Sequence, residues 1–257
     1  MLKGDGVAGV DIGVRNLIAL VGIDGEGEAF SLLFKSGTLR AYWLKNEKLA
    51  RRRQKIAYKY FWGAAKCAEE GNREEEKEFF SKYELYLRKA GRFKKKAREV
   101  RRKAVNQMCR LIAEFLVEKG VSRVFVGNSV CYCVSSEEEV KKVSKSTREL
   151  LRNFFASRQI INALKRHCEV RGIRVIEVSE ENTSSVCPVC VQRVERPYRG
   201  LVVCEKCGQF NADLSAAYNI MKFNSSVELS GKELKRLLNN PKTFLYLTKE
   251  QKWISKN

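Results

Sequence analysis

Two C-x-x-C pairs, Cys187-Pro-Val-Cys190 and Cys204-Glu-Lys-Cys207, stand with 13 residues between them. Two such pairs bring four thiolates to one point, and a tetrahedral set of four sulfur ligands suits zinc. The intervening segment 191–203 carries Pro197 and Gly200, as a hairpin joining two knuckles would. A cage closed by four cysteines leaves no open coordination position, so the expected ion is structural, one Zn²⁺ in a ribbon over about 183–210. A redox C-x-x-C accounts for one pair and leaves the second unexplained. The other five cysteines, Cys67, Cys109, Cys131, Cys133 and Cys168, sit among mostly apolar neighbours and read as buried thiols.

Around the ribbon the pattern is mixed. VAGVDIGV, NLIALVGID and EAFSLLF, over residues 7–35, read as three short strands with Gly13 and Asp24-Gly25 between them, an antiparallel meander. From about 40 to 118 the periodicity is helical, with breaks expected near Gly71 and Gly91. Met108, Leu111, Ile112, Phe115 and Leu116 make a stripe that ends at Lys119-Gly120, a C-terminal signal. VSRVFVG (121–127) reads as a strand, 135–147 as a polar connection, 148–170 as a helix, IRVIEV (173–178) as a strand and DLSAAYNIMK (213–222) as a helix. Residues 225–257 are basic and weakly patterned, a tail. Three strands, helix, strand, helix, strand, helix is the order of an α/β, RNase H-like mixed sheet. On this reading 1–182 is the core with a basic helical insertion over about 40–118, and 211–224 is its last helix.

Charge narrows the partners. Lys and Arg number 50 against 30 Asp and Glu, a net charge of +20, which favours polyanions because neutralised phosphates release counterions. Between residues 40 and 110 there are 23 Lys/Arg and 9 Glu. Arg51, Arg52, Arg53 and Lys94, Lys95, Lys96 cluster there beside Tyr58, Tyr60, Phe61 and Trp62. A solvated hairpin with inward-packed aromatics is the plain alternative. The concentration of charge favours a surface that tracks phosphates. No run of 18 apolar residues occurs, so no membrane-spanning helix is expected. No apolar signal core precedes Asp11, and an intracellular, cytoplasmic protein is expected.

Asp11, in Val10-Asp11-Ile12-Gly13-Val14-Arg15-Asn16, places a carboxylate within a sheet, where burial is costly unless a cation shares the site. A D-x-G strand also opens actin-like ATPases, but those need glycine-rich phosphate loops, and none follows. Asp213 opens the last helix, where capping is its ordinary role. The single histidine, His167, excludes a histidine-metal nuclease, a Ser-His-Asp hydrolase and an HNH site; it reads as an ordinary helix-end residue.

Taken together, Thr183-Ser184-Ser185-Val186-Cys187-Pro188-Val189-Cys190, Cys204-x-x-Cys207-Gly208 and Asn211-Ala212-Asp213 resemble the C-terminal half of TnpB (OrfB) proteins. These are transposon-encoded, RNA-guided DNA nucleases related to type V CRISPR effectors. The resemblance runs over about residues 7–222. It implies a RuvC-type centre in which Asp11 and Asp213 are two of three catalytic carboxylates holding two Mg²⁺ ions, with DNA and a guide RNA as partners.

Three departures from the family pattern stand out. The usual second carboxylate, a Glu ending the 121–127 strand, is replaced by Val126-Gly127-Asn128-Ser129. A subset of the family has this Gly, together with a Glu three residues before the Thr-Ser that precedes the ribbon. Val178-Ser179-Glu180-Glu181-Asn182-Thr183-Ser184 resembles that arrangement, which makes Glu180 the expected third carboxylate and Glu181 a loop acid. Only ten residues precede Asp11, where the family carries an N-terminal recognition region; either the chain is a fragment or a separate N-terminal polypeptide supplies that part. Val191 follows Cys190 where the family usually has Gly. A nuclease-dead nucleic-acid binder or truncated transposon remnant and a ribbon-based interaction module remain alternatives, and a third carboxylate separates the first of these from the enzyme.

Overall fold

The computed structural model describes residues 5–128, 154–198 and 200–256. It divides into two compact units, one of residues 1–37 with 104–257 and one of residues 38–103.

The first unit is built on a seven-stranded sheet. Strands β1 (Gly6–Asp11), β2 (Asn16–Ile23) and β3 (Ala29–Lys35) form the expected antiparallel meander. Strand β4 (Val121–Asn128) lies parallel to β1, with Val10 opposite Val126. Strand β5 (Arg174–Ser179) lies parallel to β4, with Gly127 opposite Val178. Helix α3 (Ser157–Glu169) makes the crossover between them, as parallel neighbours require. The first residues of the helix expected over 148–170 lie outside the described residues, as do the polar segment 135–147, Cys131 and Cys133. β1 and β2 are buried almost throughout, so they read as apolar runs and not as alternating ones. This is the RNase H-like mixed sheet that the order of elements predicts.

One close approach sets the geometry of the site. Helix α4 (Ala212–Asn224) lies across β1, and a Cβ on Gly9 would stand 2.1 Å from the carbonyl oxygen of Ala217. Only glycine lets helix and strand come this near. Asp11 lies two residues beyond Gly9, on the same face of the strand, and Asp213 lies four before Ala217, on the same face of the helix. Contact at Gly9 therefore carries Asp213 toward Asp11.

The segment after 224 is not a tail. It forms helix α5 (Gly231–Asn239) and strands β8 (Lys242–Leu247) and β9 (Lys252–Lys256), after the ribbon strands β6 (Leu201–Cys204) and β7 (Gly208–Asn211). β8 pairs parallel to β3 and antiparallel to β9, giving the order β5-β4-β1-β2-β3-β8-β9. Aromatic packing drives this. Phe244 stacks on Phe34 at 4.5 Å, Trp253 meets Phe34 edge-on at 5.2 Å, and the Trp253 Nε1–H donates to the carbonyl of Ala104 at 2.8 Å. Lysines at the strand ends, Lys242 and Lys252, mask the rings of Phe244 and Trp253 in the sequence.

The second unit is carried by helix α1 (Gly37–Glu69) and the first part of α2 (Arg73–Glu118). The break at Gly71 is present: Gly71 has φ 75°, and the Asn72 N–H donates to the Cys67 carbonyl at 2.9 Å, a helix-ending pattern. The break expected at Gly91 is absent, and α2 runs through it. An interior glycine costs only about 1 kcal/mol, too little to stop a long helix. Among the described residues, no helix is long and apolar enough to cross a membrane.

Candidate active site

Three carboxylates occupy one end of the sheet. Asp11 ends β1 and is half-buried. Its carboxyl is held well above the ordinary value, first by burial, then by Asp213 and by Glu180, while Arg196 acts in the opposite sense. The Oδ2 atoms of Asp11 and Asp213 each lie 3.9 Å from where a Cβ on Gly13 would stand.

Asp213 does not take the capping role open to it. The cap of α4 is Asn211, whose Oδ1 accepts from the backbone N–H groups of Asp213 and Leu214 at 3.1 and 3.2 Å. The Asp213 carboxylate instead accepts from the buried side-chain amide of Asn16 at 2.5 Å. Asn16 begins β2, across a turn closed by the Gly13 N–H on the Asn16 carbonyl at 3.0 Å.

Glu180 follows β5 directly, and its side chain folds back across the end of β4. A Cβ on Gly127 would stand 2.3 Å from Glu180 Oε1. The register pairs Val10 with Val126, so Gly127 is next to Asp11 along neighbouring strands, and Glu180 fills the space that a side chain at 127 would take. The turn behind it is pinned: Thr183 donates to the Glu180 carbonyl through its N–H at 3.1 Å and its hydroxyl at 2.8 Å. Asn219 of α4, only 1% exposed, donates its amide to the carbonyls of Thr183 and Val186 at 2.7 and 3.1 Å. The same helix that carries Asp213 thus fastens the turn that carries Glu180. Glu181 is exposed, its N–H on the Ser179 hydroxyl. Asp213 and Glu180 raise the proton affinity of Asp11, and carboxylates gathered in this way want a counter-charge, such as a hard divalent cation would supply.

The four cysteines form a tighter cluster. The sulfur atoms of Cys187, Cys190, Cys204 and Cys207 all lie within 4.8 Å of one another, and those of Cys190 and Cys204 are 3.6 Å apart. Among the described residues, this is the group of three or more potential metal ligands drawn so close. Tetrahedral bonds of about 2.3 Å to sulfur put the sulfurs roughly 3.8 Å apart, so these residues can hold one metal ion. Burial, with the adjoining thiols, pushes Cys187 and Cys207 up. The knuckle turns differ. Gly208, after Cys207, has φ 92°, and Val191, after Cys190, has φ 60°, so valine occupies the left-handed conformation that glycine adopts without strain.

Residues 158–220 match the family described as Cas12f1-like, TNB domain. The chain is 24% identical over 224 residues to the TnpB-like protein ORF457 of Acidianus two-tailed virus, covering 86% of this chain and 42% of that protein. The chain is thus similar to TnpB-like and Cas12f1-like proteins. Its fold is similar to the protein in the cryo-EM structure of the Cas12f1-sgRNA-target DNA complex, with a TM-score of 0.53 at 21% identity, over 87% of this chain and 51% of that one. It is also similar to the mini-RNA-guided endonuclease CRISPR-Cas_phi3, with a TM-score of 0.54 at 14% identity, over 88% and 46%. The chain spans about half the length of the relatives it matches.

The six basic residues singled out in the sequence all fall in the helical unit. Arg51, Arg52 and Arg53 lie on α1, and Lys94, Lys95 and Lys96 on α2. Arg51, Arg52, Lys95 and Lys96 are exposed; Arg53 is half-buried, its guanidinium 5.9 Å from the centre of the Tyr86 ring. Sequence reasoning missed the residues that hold the carboxylates in place: Asn16, Thr183 and Asn219. Asn219 carried a signal, since it is an amide in the otherwise apolar run Ala216-Ala217-Tyr218-Asn219-Ile220-Met221.

Proposed function

We propose that this chain is the catalytic part of an RNA-guided DNA endonuclease. Asp11, Glu180 and Asp213 would form its RuvC-type centre, and one Zn²⁺ held by Cys187, Cys190, Cys204 and Cys207 would serve as a structural metal. The observation that carries the reading is the seat of Glu180, folded over Gly127 beside Asp11. A solvated loop acid has no reason to lie there. The three carboxylates would hold two Mg²⁺ ions, which when bound activate water and stabilise the leaving oxygen of a phosphodiester.

The chain's own groups do the rest. Asn16 fixes the rotamer of Asp213 through its amide. Thr183 and Asn219 fix the turn that presents Glu180. Arg196, whose charge reaches Asp11, adds positive potential where an incoming phosphate meets the carboxylates. The six basic residues of the helical unit would track the backbone of DNA or guide RNA, the two partners present with the related Cas12f1 protein. A recognition region, from a separate polypeptide if needed, would supply targeting.

The test is cleavage of labelled DNA with Mg²⁺ or Mn²⁺, guide RNA and any recognition polypeptide present. Glu180→Gln should reduce cleavage by more than about 100-fold, because loss of a ligand exceeds the roughly 10–100-fold cost of losing a ligand's supporting partner. Glu181→Gln should cleave as the unaltered chain does. Full activity in Glu180→Gln would remove Glu180 from the site, and an inert unaltered chain that still binds nucleic acid would establish a nuclease-dead binder.

A further inference from the structure

The outer face of α1 carries two large aromatic side chains with no apolar cover. Trp62 is 70% exposed and Tyr58 is 54% exposed. They are four residues apart, so they share one face of the helix. Continuing that stripe toward the N-terminus gives Lys55, Arg51 and Lys48, all exposed. Aromatic rings and cations therefore form one line on one surface.

The rings are supported from one side. Phe61 meets Trp62 edge-on at 5.6 Å and lies 5.4 Å from Tyr83, and Tyr83 lies 5.6 Å from Phe80. This aromatic chain holds the indole in place while leaving its face to solvent. A core would bury such a ring, and a merely solvated helix would not carry it, because exposed apolar area lowers solubility without return.

Charge indicates what covers the stripe. Residues 40–65 contain eight Lys/Arg and one Glu, and residues 79–103 contain eleven Lys/Arg and two Glu. The turn between them reverses sign, with six Glu against three Lys/Arg over residues 66–78. The aromatic pair stands where the basic stretch ends and the acidic turn begins. A polyanion drawn along Lys48, Arg51 and Lys55 meets the rings last and is repelled beyond them.

We propose that Tyr58 and Trp62 stack on the unpaired bases of a single-stranded segment of nucleic acid whose phosphates run along Lys48, Arg51 and Lys55. Spacing favours unpaired bases. One turn of four residues advances about 6 Å along the helix, close to twice the 3.4 Å step of stacked bases in a duplex. Two rings at that interval fit an extended strand, or a single base held between them, and a duplex presents its base faces to neither. The inference rests on the reading that this helical unit binds nucleic acid, and it adds which strand form it takes and how.

The protein carries its own reporter. Of its three tryptophans, Trp43 and Trp253 are buried, at 4% and 8% exposure, and Trp62 is open. Titration of the full chain with oligo-dT or oligo-U should quench the Trp62 emission, and a blunt duplex of equal charge should quench it far less. Trp62→Ala should weaken single-strand binding by about 5- to 150-fold, the range for loss of one base–aromatic stack, and Trp62→Phe should keep most of the affinity. Trp62→Ala should leave the salt dependence unchanged, whereas Arg51→Gln with Lys55→Gln should lower the log–log slope by roughly 0.7 per contact.

Equal affinity of Trp62→Ala and the unaltered chain overturns the stacking, even if the cation variants flatten the slope and so uphold nucleic-acid binding by this unit. Equal quenching by duplex and single strand overturns it as well. Quenching that depends on protein concentration without nucleic acid would assign the stripe to a second copy of the chain. An unchanged slope in the cation variants would overturn the underlying reading too.

Discussion

The cysteine cluster and the proposed carboxylate centre would both hold cations, and they are specified in opposite ways. The four cysteines come from two knuckles in one short stretch, the second at the turn of the β6–β7 hairpin. Their spacing alone brings the sulfurs together. The carboxylates stand at positions 11, 180 and 213, one ending a strand, one after another strand and one in the first turn of a helix. Nothing local relates them. They meet because β1, β4 and β5 run parallel and end at one edge, and because Gly9 admits α4. A locally specified site tolerates little displacement of a ligand. A site specified by topology requires only that a carboxylate arrive, and two adjacent strand ends, at 127 and 180, offer the same place.

The largest expected effect tests that difference directly. The double variant Gly127→Glu with Glu180→Gly should regain cleavage lost in Glu180→Gly alone, recovering at least about tenfold of a deficit of about 100-fold or more. No recovery would show that the turn at Glu180 matters for more than its carboxylate. No comparable exchange should work in the ribbon. Cys187→Ser should release the metal, seen by elemental analysis, and lower the melting temperature, since binding energies of about 10–16 kcal/mol in structural zinc sites are folding energy. A folded, reduced sample of the unaltered chain without zinc would refute the ribbon assignment.

Next in size is a pH effect at the carboxylates. Burial, Asp213 and Glu180 raise Asp11 above its ordinary value of 3.8. The stability that goes with a raised carboxylate is fully present below that value and is lost as pH rises through the higher folded one. Without divalent ions, the melting temperature should fall over that window, and Asp11→Asn should remove the fall. Near neutral pH the variant should melt several degrees higher in EDTA, each kcal/mol being worth roughly 2–4 °C in a chain of this size. Mg²⁺ should raise the unaltered chain more than the variant. A variant that melts lower in EDTA would contradict the crowding of charge described at Asp11.

The smallest effect belongs to the knuckle. Val191 holds φ 60°, which costs a non-glycine residue roughly 1–2 kcal/mol, and glycine returns about 0.5–1 kcal/mol of that as chain entropy. Val191→Gly should therefore stabilise the protein by about 0.5–1 kcal/mol, read by chemical denaturation, without altering metal content.

Legibility in the sequence followed the same division. The double C-x-x-C was readable from spacing, and the meander from Gly13 and the Asp24-Gly25 turn. Glu180 was reachable only through a resemblance, since no spacing rule links positions 11, 127 and 180. Asn16 and Asn219 were not singled out, because the value of a side-chain amide depends on which carboxylate or carbonyl the fold places opposite it. The cap of α4 was open for a related reason: two residues able to cap it stand two positions apart, and only geometry shows that Asn211 takes the task and leaves Asp213 to the site. Strands β8 and β9 were hidden because their rings pack on Phe34, some two hundred residues earlier.

That long reach has a consequence for how the sheet is made. β3 has β2 on one side from the outset, but its other neighbour is β8. During synthesis β3 must wait, with unpaired backbone groups along one margin, until residues 242–247 have emerged. Non-local pairings of this kind close slowly, and an open strand margin invites pairing with other chains. Versions of the chain cut before residue 242 should therefore be lost to aggregation more readily than versions altered at the carboxylates, although the cut removes no residue of the proposed catalytic centre.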